Sequence, residues 1–254
     1  MSWPAIRHDL ELELGEPISV DALTGAWRIA QREAGHRHSA DDVLTAWFAL
    51  REAPHVSTAL DLGTGIGGVG LLVLWGLGEA ARLVAIEAQA ISFRLLQANL
   101  AGNELTGRVE AIHGDLRDLA DARTFPLVTG SPPYFPLGTG IVPADSQKAH
   151  ARFELRGDVA DYARAAARHL TDDGVFAFCF PTPQKHRALA AVEGAGLVTT
   201  RIQDVIPRTS LRPLFTLFAA RRAGTLVEDP PFVVREQSGE LTPAMQAVRR
   251  GFGF

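Results

Sequence analysis

The chain has 254 residues, is 46% hydrophobic and carries a formal charge of −4. That length holds one large domain with a sizeable core, and the absence of any run of about 18 apolar residues predicts no membrane span. The acidic balance excludes a globally basic nucleic-acid binder, and a single cysteine, Cys179, excludes an internal disulfide and points to a reducing, cytoplasmic setting.

In chain order, residues 1–16 read as an extension without the basic-then-apolar pattern of a signal peptide. Leu10 to Leu14 alternates apolar and acidic residues, which predicts a short edge strand. Residues 26–31 predict another strand, and 35–39 a loop. Ser39 or Asp41 can cap a helix running from Asp42 to Leu50 and ended by Pro54. From residue 56 the pattern alternates, with strands at 57–61, 82–86, 109–113, 126–130, 174–180, 197–206 and 214–220. Helices are predicted at 67–77, 88–101, 158–170 and 183–195. Such alternation implies an α/β, doubly wound, seven-stranded and mostly parallel sheet. Residues 207–213 are too few for a crossover helix, so the last strand should run antiparallel. The chain thus divides into an extension at 1–55, a sheet domain at 56–222 and a tail at 223–254, with a last helix near 242–250 packing on the domain.

The stretch Asp61-Leu62-Gly63-Thr64-Gly65-Ile66-Gly67-Gly68 lies between an apolar strand and an apolar helix. Glycines there permit a tight turn and close approach to a ligand, which the helix N-terminus can also bind. Gly63, Gly65 and Gly68 also fit the dinucleotide fingerprint, with Glu87 near the offset of a ribose-binding acid. The carboxyl ends of successive strands then deliver Asp61 to Gly67, Glu87, Asp115 and Ser131 to Tyr134 to one crevice. Ser131-Pro132-Pro133-Tyr134-Phe135 follows an apolar strand. The Ser131 hydroxyl and the Pro132 carbonyl, held by a restricted backbone, could favour pyramidal geometry at a planar amine, with Tyr134 stacking on its ring. Ser131 is followed directly by proline, so the nucleophile-elbow motif is absent. No metal is expected: there is no cysteine pair, and His36 and His38 sit alone on a loop.

Asp61 before the glycines, together with Ser131-Pro132-Pro133-Tyr134, resembles class I methyltransferases, whose Rossmann-like sheet ends in an antiparallel strand. The resemblance implies S-adenosyl-L-methionine as cofactor. It places Glu87 on the ribose hydroxyls, Asp115 on the adenine amine, and Asp61, Gly63, Thr64, Gly65, Gly67 and Ser131 around the cofactor. More closely, residues 17–222 resemble the bacterial tRNA adenine N6-methyltransferases that act beside the anticodon of a valine tRNA. The carriers are Asp21-Ala22-Leu23-Thr24-Gly25, Gly35 to Leu44, the glycine loop, and Ser131 to Phe135 followed by Ala149-His150-Ala151-Arg152. That family usually has aromatics where His36 and His38 stand and Asn where Ser131 stands. By this resemblance the loop with Arg37 and Asp41 folds over the cofactor. Enzymes with the same motif also methylate protein glutamine or small molecules, and both remain alternatives. For an RNA substrate, the residues expected to bind it beside Tyr134 and Phe135 are Lys148 and Arg152 after the fourth strand, and Arg208 and Arg212 between the last two. The expected assembly is a monomer or weak dimer.

Overall fold

The computed structural model describes residues 2–120, 122–136 and 138–254. The chain opens with helix α1 (Trp3–Leu14) rather than an edge strand. Its alternation is incidental: Ile6 and Leu10, four residues apart, are the buried pair, while Leu12 is 71% exposed. Pro4 suits the first turn, and Gly15 ends the helix in the left-handed region at φ 68.

Strand β1 (Ile18–Thr24) pairs antiparallel with β2 (Trp27–Arg32) as a separate hairpin, so the strand expected near 26–31 has a partner that alternation had not marked. Helix α2 (Ala40–Glu52) follows, with the Asp42 side chain reaching back to the Ser39 N–H at 3.0 Å. The main sheet then builds through β3 (Thr58–Leu62), α3 (Gly68–Leu77), β4 (Arg82–Glu87), α4 (Ala90–Gly102), β5 (Val109–His113) and β6 (Phe125–Gly130). It continues with α5 (Ser146–Arg152), α6 (Val159–His169), β7 (Leu170–Pro181), α7 (Lys185–Gly194), β8 (Val198–Ile206) and β9 (Phe215–Arg221). β9 runs antiparallel between β7 and β8, as the short 207–213 connection requires.

The sheet has an eighth strand. β10 (Val227–Val233) pairs parallel with β8 at the edge, giving the order β10-β8-β9-β7-β6-β3-β4-β5. Pro230 and Pro231 interrupt its register between Asp229 and Phe232, which an edge strand tolerates and an inner one would not. Helix α8 (Pro243–Gly251) closes the chain.

Strand periodicity sorts the core into two layers. Leu60, Leu62, Phe176, Phe178 and Phe180 face the layer shared with α6 and α7. Ala59, Val175, Ala177 and Cys179 face the opposite layer, shared with α2, α3 and α4. Phe178 stacks on both Phe176 and Phe218, with centroids 4.6 and 4.8 Å apart. Among the described residues no helix is long and apolar enough to cross a membrane.

Candidate active site

The turn after β3 is shaped by what lies beneath it. Gly63 has φ 59, and a Cβ there would stand 2.0 Å from the Tyr162 hydroxyl oxygen, so only glycine fits over that ring. Gly65 has φ 60, yet a Cβ there would meet nothing within 4 Å; its open side faces the crevice. Asp61 is almost wholly buried. It accepts hydrogen bonds from Thr64 Oγ1 at 2.6 Å and Thr129 Oγ1 at 2.7 Å. Burial outweighs these bonds and pushes its carboxyl up to about 6. Asp61 therefore clasps the loop from below.

Glu87, at the end of β4, accepts from the Gly65 N–H at 2.9 Å and the Gln89 N–H at 2.6 Å. Burial raises its pKa against those two bonds. Asp115 follows β5, caps a short 3₁₀ turn and is gripped by Arg117 at 2.9 and 2.7 Å, which holds its carboxyl below the usual range. After β6 the loop is pinned from outside. The Tyr134 and Phe135 N–H groups donate to the Arg152 carbonyl at 3.0 and 2.8 Å, and Gln184 Nε2 donates to the Tyr134 carbonyl at 2.9 Å.

The N-terminal segment supplies the remaining wall. Arg37 is turned onto β1, donating to Ser19 at 2.9 Å and Asp21 at 3.0 Å. Asp41 accepts from the Tyr134 hydroxyl at 3.3 Å; burial first, and then the neighbouring Asp42, raise its pKa. Asp42 binds His38 Nδ1 at 3.0 Å. Burial opposes charge on that ring, but the carboxylates around it prevail and raise its pKa. Asn99 ties the hairpin to the loop, accepting from the Ala30 N–H at 2.7 Å and donating to the Ile66 carbonyl at 2.9 Å.

All of this encloses one cavity of about 250 Å³. Of the residues named from the sequence, Arg37, Asp41, Asp61, Gly63, Thr64, Gly65, Glu87, Asp115, Ser131 to Phe135 and Arg152 line it. Gly67, Lys148, Arg208 and Arg212 are not in its wall. Sequence reasoning missed Tyr162, Gln147 and Cys179. Gln147 bridges the segments, taking a bond from the His36 N–H and giving one to Ser92, both at 3.2 Å. None of the three carries a local motif.

Residues 40–144 match the family model described as the methyltransferase small domain. That stretch is a methyltransferase domain. The chain resembles the tRNA1(Val) (adenine(37)-N6)-methyltransferase of Actinobacillus pleuropneumoniae, 23% identical over 226 residues that span 88% of this chain and 93% of the relative. The protein of the same name from Tolumonas auensis is 25% identical over 83% of this chain and 86% of its own. Among solved structures, a predicted O-methyltransferase from Agrobacterium tumefaciens superposes with a TM-score of 0.64 at 20% identity, covering 84% of this chain and 97% of that one. That likeness concerns the fold.

The wall of the cavity also separates the two cofactor classes that a glycine loop permits. Asp42 occupies the approach to the α3 N-terminus: a Cβ on Gly68 would lie 2.9 Å from the Asp42 carboxyl carbon. A dinucleotide pyrophosphate would meet that carboxylate where it needs free N–H groups. The cavity wall carries Asp41, Asp42, Asp61, Glu87 and Asp115 against Arg37, Arg152 and Arg156, so carboxylates are at hand for the sulfonium cation of S-adenosylmethionine.

Proposed function

We propose that the protein transfers a methyl group from S-adenosylmethionine to the exocyclic N6 amine of an adenine in tRNA. The observation that carries this reading is the rigid Ser131-Pro132-Pro133-Tyr134 loop, pinned by Arg152 and Gln184 and opening into the same cavity as the glycine turn. Relatives matching nearly the whole chain bear the name of that activity.

The cofactor supplies an electrophilic methyl on a sulfonium. The chain's own part is to orient and to polarise. Glu87 and the loop around Gly65 hold the cofactor's ribose, and Asp115 holds its adenine. Residues 1–55 serve as a cap, with Asp41 at its inner edge. The Pro132 carbonyl and Ser131 Oγ accept hydrogen bonds from the amine, which favours a pyramidal nitrogen whose lone pair points at the methyl. Phe135, 42% exposed at the mouth, offers a face to the base. Tyr134 is half-buried, with its hydroxyl directed inward to Asp41, so it stands behind the reacting amine as well as beside the base. A tRNA substrate implies work in the cytoplasm.

The test is incubation of the purified protein with methyl-labelled S-adenosylmethionine and total tRNA, followed by nuclease digestion and mass spectrometry. N6-methyladenosine is expected. Label released by protease instead, as methylated glutamine, would overturn the assignment in favour of a protein substrate.

A further inference from the structure

A serine at position 131 poses a chemical question. An asparagine carbonyl can only accept, whereas a hydroxyl can accept or donate. A donating Ser131 would face the amine with the wrong polarity. What fixes its direction lies behind it.

Cys179 is fully buried on β7, on the sheet face turned toward α2. Its sulfur lies 3.6 Å from Ser131 Oγ and 3.2 Å from the Tyr134 hydroxyl oxygen. The buried Thr45 hydroxyl lies alongside the sulfur as a further hydrogen-bonding neighbour. Burial pushes the thiol up to about 11, so the proton stays on sulfur. Tyr134 spends its own proton on Asp41 Oδ2, at 3.3 Å. Its oxygen then presents lone pairs to Cys179, and a sulfur–oxygen contact of 3.2 Å is favourable only if the S–H donates. With that proton committed, the sulfur can offer Ser131 only a lone pair, so the Ser131 hydroxyl donates inward.

We propose that a one-way hydrogen-bond chain, from Ser131 through Cys179 and Tyr134 to Asp41, commits the Ser131 oxygen to accepting from the substrate amine. Cys179 is then a positioning residue: it touches neither cofactor nor substrate, yet sets the polarity of the group that does. The inference rests on the amine-methylating reading above.

The experiment compares four proteins in each of two backgrounds. Cys179→Ala and Cys179→Val both remove the thiol, the second while keeping bulk, so packing and hydrogen bonding separate; Cys179→Ser retains a donor and acceptor. With Ser131 present, both apolar variants should lose about tenfold in kcat on tRNA, the order expected for one neutral hydrogen bond. Cys179→Ser should recover most of that loss. S-adenosylmethionine affinity by calorimetry and the thermal midpoint should hardly move. In a Ser131→Asn background the acceptor no longer depends on the chain, so Cys179→Ala and Cys179→Val should cost little. An equal loss in both backgrounds, or no loss with Ser131 present, overturns the proposal. Should Ser131→Asn itself be inactive, the Cys179→Ser against Cys179→Val comparison decides. A parent protein that methylates no tRNA adenine instead refutes the functional reading, and the role of the chain falls with it.

Discussion

At the scale of single residues, Asp61 shows how a motif residue can be legible while its task is not. Its place before the glycines marks the loop. Its environment, a buried carboxylate held by Thr64 and Thr129, appears only in three dimensions because Thr129 lies 68 residues away. That environment has a pH signature. With a folded pKa of about 6 against an ordinary value of 3.8, the folded state binds the Asp61 proton more tightly than the unfolded state does. Its contribution to stability therefore declines as pH rises from about 4 to 6 and is level above. The fall is on the order of 3 kcal/mol at most. Asp61→Asn removes the titration, while Thr64 or Thr129 can turn its hydroxyl to donate elsewhere. Urea unfolding at pH 4.5, 5.5 and 7 should show the variant gaining on the parent protein as pH rises. Parallel profiles would mean that Asp61 is not the proton-binding group.

At the scale of elements, what the sequence revealed was whatever is local. The glycine turn, Ser131 to Phe135, and all strands and helices between 57 and 220 except α5 follow from contiguous patterns, and their observed bounds lie within a few residues of the readings. Besides β1, three elements escaped for physical reasons. α1 was hidden by a two-residue alternation that its own burial does not follow. α5 is only seven residues long, too short for periodicity to speak. β10 contains two prolines and owes its place to charges elsewhere. Asp229 on β10 binds Arg51 of α2 at 2.6 Å and Arg201 of β8 at 2.8 Å, and Arg201 also reaches Glu52 at 3.0 Å. Asp229→Ala would leave two guanidinium groups to share Glu52. The cost should be about 1 kcal/mol, because the arginines are partly exposed. It should fall locally: amide exchange across 227–233 should accelerate while β3 to β6 stay protected. Unchanged exchange there would show that the backbone ladder to β8 suffices.

At the scale of the whole molecule, the question is how an acidic protein holds a polyanion. Most of the arginines are already engaged; Arg32, for example, is bound to Glu16 and to Asp145. Arg208 and Arg212 are exposed and form no ion pair among the described residues. They sit between β8 and β9, at the carboxyl end of β8, the same edge of the sheet on which Ser131 to Phe135 leave β6. Neither lines the cavity, so their proposed task is to hold tRNA phosphates outside it. The double variant Arg208→Ala/Arg212→Ala should bind tRNA more weakly. Its log-affinity against log-salt line should be shallower by roughly 0.7–0.9 for each phosphate that an arginine no longer neutralises. Its affinity for S-adenosylmethionine should not change. An unaltered slope would remove this loop from the RNA surface.

The hairpin that walls the cofactor cavity is fastened at a distant point in the chain. The turn of β1–β2 rests against the stretch after α8: the Gly25 N–H donates to the Phe252 carbonyl at 3.0 Å, and the Thr24 hydroxyl donates to the same oxygen, 228 residues away in sequence. During synthesis, therefore, the turn of β1–β2 has to wait for residue 252 before it can dock. The parallel sheet has all its strands well before that moment. A nascent chain stopped short of residue 252 has a sheet that is able to assemble and a hairpin turn with nothing to close against, so competence to bind should arise only once residue 252 has emerged.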